Sequence, residues 1–426
     1  MIHLLMHPGV RIDDMRATAF KRPFLVLPEG EKLVLPICSA KERLSVQVVA
    51  KGEHVRRFEP IARDMDNLPL CYAPTAGVVD GCVAKEIPGK GKMLCVYLLT
   101  GNEQPKAHTL SRPSKADAAP EKVVKAAGLL RLSDETDGEL LEEKLKRYGS
   151  EKIDVLICDA ICDDPFAADG LCVLTEMTEE VLDGLKLAAK ACGCSQTMVA
   201  VFRAKAAGSG TVKRLQGRLN DCELLNLDGK FPIWPALKKL PRFAGKKIGR
   251  IGAQACLQLS RAIRLSRPVE RCIVTVSGDG VQNPQNLSVV IGTPISEVLA
   301  HCVLSEDEDI RTVAVGGSFS GYSVTDLSTP VLADTRCVLA FTRHASRRTS
   351  SCIGCGRCNE VCGENVFVSE AARAVRRGRL EDALFYGAQR CIGCHACDVV
   401  CPGGQNPSEL VLSALPPKAE ERPFSQ

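Results

Sequence analysis

The chain has few aromatic residues, no long apolar run and little excess charge, and each shortage excludes a class of protein. Aromatic residues make up 4% of the 426 residues, with a single tryptophan, so there is no stripe of alternating basic and aromatic side chains to stack bases. The net charge is only +4. No apolar run reaches the ~18 residues that a spanning helix needs. We therefore expect no nucleic-acid partner and no transmembrane segment.

The N-terminus also lacks the pattern of an export signal. Residues 1–8 have no basic segment followed by a full apolar stretch, so we expect no signal peptide and a cytoplasmic protein.

Cysteine, in contrast, is abundant, with 22 in the chain. In a small secreted protein this number would indicate disulfides, but in a long intracellular chain it favours metal ligation by reduced thiols. Eight of the 22 fall in two compact runs, and the remaining 14 are scattered. The first run is Cys352, Cys355, Cys358 and Cys362, and the second is Cys391, Cys394, Cys397 and Cys401.

Both runs have the spacing C-x2-C-x2-C-x3-C, which is typical of proteins with two [4Fe-4S] clusters. Three cysteines in one loop bind one cluster, and the fourth cysteine of each run binds the other cluster. We therefore predict one cluster on Cys352, Cys355, Cys358 and Cys401, and a second on Cys391, Cys394, Cys397 and Cys362. A pair of zinc sites is the alternative, although a zinc ion needs only four ligands, often from two C-x2-C pairs, and does not require a third and fourth cysteine repeated in each run.

The surroundings of the runs differ in two respects from a standard ferredoxin pattern. Gly363 follows the first run where Pro402 follows the second. His395 lies between two ligands, and we expect it to tune the cluster potential or face solvent rather than bind iron.

The segment between the two runs has a helical pattern, since residues 368–390 show helical periodicity with a break at Gly378. Residues 343–390 contain nine arginines and five acids, so they form a basic surface. This positive charge would favour reduction of the clusters or attract an acidic redox partner. The alternative is a solvated surface without such a role.

Upstream, the pattern changes from β to α/β. Residues 28–99 have short apolar runs and turn signals, and a polar, proline-bearing linker follows over 103–121. The apolar patterns farther along predict a strand, a helix and a second strand, which together indicate a βαβ arrangement. These elements are Asp154 to Cys158, Thr178 to Cys192 and Met198 to Phe202. Residues 271–276 and 291–299 indicate a small β-grasp unit.

The order of these segments resembles the RnfC family, the soluble electron-input subunits of Rnf complexes, together with their PrdC relatives associated with proline reductase. Residues 51–79 resemble the family's lipoyl-like barrel-sandwich domain, and residues 274–278 with 291–294 resemble its soluble-ligand-binding β-grasp (SLBB) segment. Residues 316–321 stand where the family has a Gly-Gly-Pro-Met-Met-Gly turn. The resemblance covers most of the chain.

The resemblance implies a multidomain α/β and β fold. The expected parts are a barrel-sandwich domain (1–102), the linker (103–121), a degenerate Rossmann-like FMN/NADH-binding-type α/β domain (122–267), an SLBB-like β-grasp domain (268–345), a helical two-cluster ferredoxin-type domain (346–412) and a flexible tail (413–426).

One family signature is altered here. Family members have a glycine-rich loop after an Ala-Gly pair, but Ala127-Gly128 is followed by a segment with one glycine, Gly138, and three acids, Asp134, Glu135 and Asp137. Bare backbone N–H groups in such a loop bind phosphate, whereas acids repel it. FMN and NADH are therefore doubtful cofactors. Asp163 and Asp164, in another altered segment, are expected to be solvated, with contact to a ligand as the alternative. No lipoyl or biotinyl attachment site is evident.

The leading functional interpretation is an electron carrier without catalytic residues, which passes electrons from a flavoprotein or Rnf-like donor to a reductase, in a PrdC-like role within anaerobic metabolism. Its partners would be redox proteins, and membrane contact would occur only by docking to a complex on the cytoplasmic face. The alternatives are an NADH-oxidising, FMN-dependent subunit of an ion-translocating complex, and a scaffold with structural clusters. We expect most of the scattered cysteines to be buried apolar residues; Cys158 with Cys162, and Cys192 with Cys194, are the closest pairs.

Overall fold

A computed structural model describes most of the chain. The described residues are 2–4, 7–21, 23–41, 46–101, 106–108, 110, 118–203, 210–219, 222–302, 310–342 and 349–415. Much of the predicted linker (103–121) and of the predicted tail (413–426) lies outside these ranges. No helix in the described ranges combines the length and the apolar character that crossing a membrane requires.

The N-terminal part is a β structure, as the turn-rich sequence predicts. Its strands are β1 (Ile2–Leu4), β2 (Leu25–Val26), β3 (Lys32–Ser39), β4 (Val46–Val48), β5 (His54–Val55), β6 (Pro60–Asp64), β7 (Pro69–Tyr72), β8 (Gly77–Ile87) and β9 (Gly91–Thr100). Two sheets form, with the orders β3-β9-β8-β5 and β4-β6-β7. Leu33, Leu35, Ile61, Val96 and Leu98 pack together in the core of this part.

An α/β unit follows. Its elements are α1 (Pro120–Leu129), α2 (Leu141–Glu151), β10 (Val155–Ala160), α3 (Asp169–Glu176), α4 (Thr178–Cys192), β11 (Gln196–Phe202), α5 (Thr211–Arg218), β12 (Glu223–Gly229), α6 (Ile233–Lys238), β13 (Ile248–Gly252) and α7 (Ala253–Leu265). The sheet order is β1-β12-β11-β10-β13, and every pair is parallel. All six residues of β10 are buried, because helices and loops cover both sheet faces.

The predicted elements of this unit are confirmed. Helix α4 spans the predicted Thr178–Cys192 and buries a stripe that includes Val181, Leu185 and Ala188, three to four residues apart. It ends where Gly193 adopts a left-handed conformation with φ 69°. Strands β10 and β11 are parallel neighbours, as the βαβ pattern predicts.

A third unit contains a mixed sheet. Its elements are β14 (Arg271–Ser277), β15 (Gln285–Val290), α8 (Ile295–His301), β16 (Thr312–Val315), β17 (Tyr322–Val324) and β18 (Cys337–Phe341). The sheet order is β17-β16-β18-β14-β15-β2, with β2 parallel to β15. Strands β1 and β2 thus join sheets whose other members lie beyond residue 154, so the N-terminal residues tie the units together.

A buried arginine strengthens this tie. Arg16 lies in a short 3₁₀ helix (Arg16–Lys21) and is fully buried. Its guanidinium donates to the carbonyl oxygens of Ile161 (3.1 Å) and Phe202 (2.9 Å), at the ends of two parallel strands, and pairs with Asp14 at 2.8 Å. The charge is therefore paired and hydrogen-bonded, as a buried guanidinium must be.

The C-terminal unit is helical and holds the two cysteine runs. Its helices are α9 (Arg357–Glu360), α10 (Val368–Arg376), α11 (Leu380–Phe385), α12 (Ala396–Val399) and α13 (Pro407–Ser413). Gly378, with φ 71°, separates α10 from α11, which confirms the predicted break. A small core of alanines and valines lies between these helices and the cysteine loops.

Candidate iron–sulfur centre

The two cysteine runs have the same backbone path. In the first run Gly354 and Gly356 have φ values of 70° and 73°, and in the second run Gly393 and His395 have φ values of 67° and 57°. These left-handed residues flank the second cysteine of each run and turn the loop around it. Helices α9 and α12 begin directly afterwards and carry the third cysteine. His395 thus adopts a conformation for which glycine is better suited.

The thiols fall into two neighbouring groups. Burial, together with the nearby Cys391 and Cys362 thiols, raises the pKa of Cys394 to about 11. Burial likewise raises the pKa of Cys391, with a contribution from Cys362. The fourth cysteine of the first run therefore lies beside the second run.

The first run forms the other group. Burial raises the pKa of Cys358, and the neighbouring Cys352 and Cys355 raise it too. Cys352 and Cys355 are exposed, whereas Cys397 of the second run is buried. Crowded thiols that raise one another's pKa are stable as thiolates only when positive charge lies between them.

The surroundings of the second group fit a cluster. Cys362, Cys391, Cys394 and Cys397 line one cavity, with an empty volume of about 480 Å³. The backbone N–H of Val366 donates to Cys362 Sγ at 3.4 Å, a bond that stabilises a thiolate. In the described ranges no three His, Cys, Asp or Glu side chains converge on a position for one metal ion. A cubane cluster does not need such convergence, because each of its thiolates binds a different iron.

Gly363, which stands where the second run has Pro402, packs against the His7 ring. A Cβ at Gly363 would lie 2.4 Å from His7 Cε1, so the His7 ring occupies the space of a side chain. Lys239 Nζ hydrogen-bonds to the Gly363 carbonyl and to Glu364 Oε1, the latter at 2.9 Å. Contacts with the α/β unit therefore replace the proline in fixing the chain after Cys362.

His395 belongs to a hydrogen-bond network beside the second group. Its Nδ1 lies 2.8 Å from Asp398 Oδ2 and 2.9 Å from Ser408 Oγ, and the Ser408 N–H donates to Asp398 Oδ1 at 2.9 Å. The hydrogen bond to Asp398 raises the pKa of His395. This network fixes α13 against the second cysteine loop.

Two of the three acids of the altered glycine loop, Asp134 and Glu135, are buried and hydrogen-bonded within the protein, whereas Asp137 is exposed. Asp134 is fully buried, with Oδ2 2.7 Å from Lys144 Nζ, and it accepts the Gly252 N–H at 3.1 Å. Glu135 accepts the N–H groups of Gln254 (2.7 Å) and Ala255 (2.9 Å) in the first turn of α7. The Glu135 side chain thus already occupies N–H groups that a phosphate would use at this helix N-terminus, although burial and the nearby Asp134 and Asp169 carboxylates raise the pKa of Glu135 to about 8.

The expectation that Asp163 and Asp164 are solvated is wrong. Asp163 accepts the N–H of Ile233 at 2.7 Å and that of Trp234 at 3.1 Å, at the start of α6. Asp164 is buried and accepts the N–H and hydroxyl of Ser318, the latter at 2.9 Å. Both carboxylates satisfy backbone donors of loops far away in the sequence, which local polarity does not reveal.

A large cleft lies between the units. It has an empty volume of about 3570 Å³, and its walls include residues 135–138, the turn at 316–322 and residues 391–393. Gly316 in that turn has φ 90°, and a Cβ at Gly321 would lie 2.1 Å from the Gly317 oxygen, so the turn requires its glycines. The cleft thus brings the altered loop and the family turn to the edge of the second cysteine group.

The scattered cysteines are mostly core residues, as predicted, and none forms a disulfide among the described residues. Eleven of the 14 are buried: Cys38, Cys95, Cys158, Cys162, Cys172, Cys192, Cys194, Cys256, Cys272, Cys302 and Cys337.

Residues 351–405, which contain all eight clustered cysteines, match the 4Fe-4S dicluster domain family. The chain is 23% identical over 373 residues to the RnfC protein of the proton-translocating ferredoxin:NAD(+) oxidoreductase complex of Clostridium ljungdahlii, covering 83% of this chain and 80% of the relative. It is 27% identical over 361 residues to the RnfC protein of the ion-translocating oxidoreductase complex of Rhodobacter capsulatus, covering 80% and 69%.

The chain is an RnfC-like protein. The RnfC protein of the Na(+)-translocating ferredoxin:NAD(+) oxidoreductase complex of Acetobacterium woodii is 26% identical over 234 residues, which cover 51% of this chain and 52% of the relative. The RnfC-like chain is thus an iron–sulfur protein of electron transport, with its dicluster domain at the C-terminal end.

Solved structures of an NAD+-reducing [NiFe]-hydrogenase are also similar. In the H2-reduced state the TM-score is 0.45 at 14% identity, covering 70% of this chain and 63% of that chain. In the air-oxidized state the TM-score is 0.42 at 15% identity, covering 72% and 65%. The RnfC-like chain therefore spans less than two thirds of those hydrogenase chains.

Proposed function

We propose that this RnfC-like protein is an electron carrier that relays single electrons through two [4Fe-4S] clusters. Its donor is a flavoprotein or an Rnf-type complex, its acceptor is a reductase, and its role is like that of PrdC. The observation that carries the proposal is the position of Cys362, which lines one cavity together with Cys391, Cys394 and Cys397. Exchange of the fourth cysteine between two runs is the arrangement found in two-cluster ferredoxins.

The proposed ligand sets extend this grouping to Cys401, since the Ser350 N–H just before the first run donates to the carbonyl oxygen of Gly403, two residues after Cys401, at 2.9 Å. One cluster is held by Cys352, Cys355, Cys358 and Cys401, and the other by Cys391, Cys394, Cys397 and Cys362. When bound, each cluster takes up or releases one electron at a time. The protein supplies the thiolates, the Val366 N–H to Cys362 Sγ and a compact helical frame, all of which limit rearrangement when the charge changes.

The occupied N-terminus of α7 supports a carrier rather than a dehydrogenase. A nucleotide phosphate at this end of the sheet would compete with the Glu135 carboxylate, which already accepts two backbone N–H groups. We therefore infer that FMN and NADH do not bind here in the usual way.

The second candidate is an NADH-oxidising, FMN-dependent subunit of an ion-translocating complex. The observation that favours it is the large cleft that reaches Cys391, since two of the similar relatives are named as subunits of ferredoxin:NAD(+) oxidoreductases. A flavin in the cleft would lie beside the second cluster.

The proposal includes the organisation of the chain. The paired sheets of the N-terminal part support a barrel-sandwich domain, and the mixed sheet with α8 supports an SLBB-like β-grasp domain. We propose that these domains dock the carrier to redox partners in the cytoplasm or on the cytoplasmic face of a membrane complex.

Flavin analysis and a reductant comparison separate the two candidates. In anaerobically purified protein we expect no bound flavin, no bleaching of visible cluster absorbance by NADH, and full, reversible bleaching by dithionite with benzyl viologen. Stoichiometric flavin together with rapid bleaching by NADH would replace the carrier with the dehydrogenase.

A further inference from the structure

The helical hairpin of the C-terminal unit exposes an unusual amount of apolar surface. Phe385 is 85% exposed, Phe367 58% and Leu380 48%, and Leu384 is exposed as well. Three of these residues belong to the six-residue helix α11, and the backbone N–H of Phe367 donates to the Tyr386 carbonyl at 3.0 Å, just beyond that helix. Leu380, Leu384 and Phe385 are neighbours on one short helix, and exposed apolar side chains grouped in this way mark an interaction site.

Contacts lead from this surface to a proposed cluster ligand. The rings of Phe385 and Tyr386 lie 5.5 Å apart, and Tyr386 is joined to Phe367 by the backbone hydrogen bond. The next residue towards the cysteines, Val366, donates its N–H to Cys362 Sγ at 3.4 Å. A molecule seated on the apolar surface would thus be separated from the second cluster by only a few packed residues.

Positive charge borders the same surface. Arg376, Arg377 and Arg379 are exposed in and beside the turn that joins α10 to α11. Helix α11 is six residues long, so this turn and Phe385 are separated by about 9 Å. The hairpin residues 368–385 carry four arginines and three acids, and the acids Glu381 and Asp382 lie on α11 itself.

We propose that this hairpin surface, formed by Phe367, Leu380, Leu384 and Phe385 with Arg376, Arg377 and Arg379, docks a small acidic protein that carries one electron. The inference rests on the proposed carrier function. An apolar centre with a charged rim is the usual anatomy of a protein interface, and an acidic partner would be steered by the arginines. The partner would exchange its electron with the cluster that includes Cys362.

A membrane surface is the other occupant that an apolar and basic patch could take. The contact path to Cys362 favours the redox protein, because electron transfer requires a short distance to the cluster and lipid binding does not.

The test measures electron transfer from a reduced, acidic clostridial-type two-cluster ferredoxin to the oxidised holoprotein by stopped-flow absorbance. We expect the double variant Arg377→Glu/Arg379→Glu to lower the second-order rate constant about tenfold at low salt and to flatten its salt dependence. We expect Phe385→Ala to lower the rate severalfold at every ionic strength, because it removes apolar contact area.

Matched controls separate this proposal from general effects. Lys213→Glu/Lys246→Glu makes the same change in net charge in the α/β unit, and Met65→Ser removes an exposed apolar residue from the N-terminal part; both should react at the wild-type rate. Every variant should be reduced by benzyl viologen radical at the wild-type rate. If viologen fails to reduce the wild-type clusters, the carrier function itself is wrong.

Other results would overturn the docking surface alone. These are equal ferredoxin rates in the hairpin variants and the controls, or no transfer from ferredoxin to a wild-type protein that viologen reduces. Sedimentation of the wild-type protein, but not of Phe385→Ala, with phosphatidylserine vesicles would assign the surface to the membrane instead.

Discussion

Replacing Cys362 by alanine is expected to remove the cluster of the second cysteine run, although Cys362 belongs to the first. Cys362 neighbours Cys391 and Cys394, and its Sγ accepts the Val366 N–H at 3.4 Å. A cubane deprived of one of four thiolates is labile, so the variant should retain about four of about eight irons. Iron and sulfide analysis, with EPR of the dithionite-reduced protein, measures this.

Double variants make the assignment specific. Cys362→Ala with Cys391→Ala should still retain about four irons, because both changes affect one cluster, whereas Cys362→Ala with Cys352→Ala should retain almost none. Cys222→Ala, which changes a half-buried cysteine far from the runs, should keep the full content. The opposite pattern in the two double variants would show that each run holds its own cluster.

Replacing Lys144 by methionine is expected to destabilise the protein strongly. The side chains of Lys144 and Asp134 are both 0% exposed, and Lys144 Nζ lies 2.7 Å from Asp134 Oδ2. Although burial alone would lower it, the carboxylates of Asp134 and Asp137 raise the pKa of Lys144. Removing the ammonium leaves a buried carboxylate without its counter-charge, which costs about 3–5 kcal/mol. Urea unfolding of the anaerobic holoprotein, followed by far-UV circular dichroism, tests this.

The same helix provides a matched control. Lys146 pairs with Glu142 at 2.8 Å on the exposed side of α2, and an exposed pair of this kind contributes at most about 0.5 kcal/mol. Lys146→Met should therefore unfold close to the wild-type midpoint. Adding Asp134→Asn to Lys144→Met should recover part of the loss, because it removes the stranded charge. Equal midpoints for Lys144→Met and Lys146→Met would refute the structural role of the pair.

The cysteine loops and the principal strands and helices of the α/β unit could be predicted because their signals are local. Each run places four cysteines within about a dozen residues, and the amphipathic stripe of Thr178–Cys192 is complete within one helix. Strands β1 and β2 could not be predicted, since they have three and two residues and pair with strands more than 220 positions away. Such short segments carry no periodicity.

The roles of the loop acids depended on tertiary contacts. The sequence marks Glu135 as unfavourable for phosphate, but nothing local indicates that α7, about 118 residues later, begins against this side chain. The expectation that Asp163 and Asp164 are solvated fails for the same reason, since their donors lie about 70 and 154 residues away. Gly363 is visible in the sequence as a departure from the ferredoxin pattern, but its contact with the His7 ring is not.

The eight clustered cysteines are proposed to hold two [4Fe-4S] clusters, and metal analysis of anaerobically purified protein decides whether they do. Iron, acid-labile sulfide and zinc should be determined on one sample, together with the EPR spectrum after reduction by dithionite. We expect about eight irons, about eight sulfides and negligible zinc, with signals of reduced cubane clusters. About two zinc ions with iron and sulfide near zero would contradict the proposal.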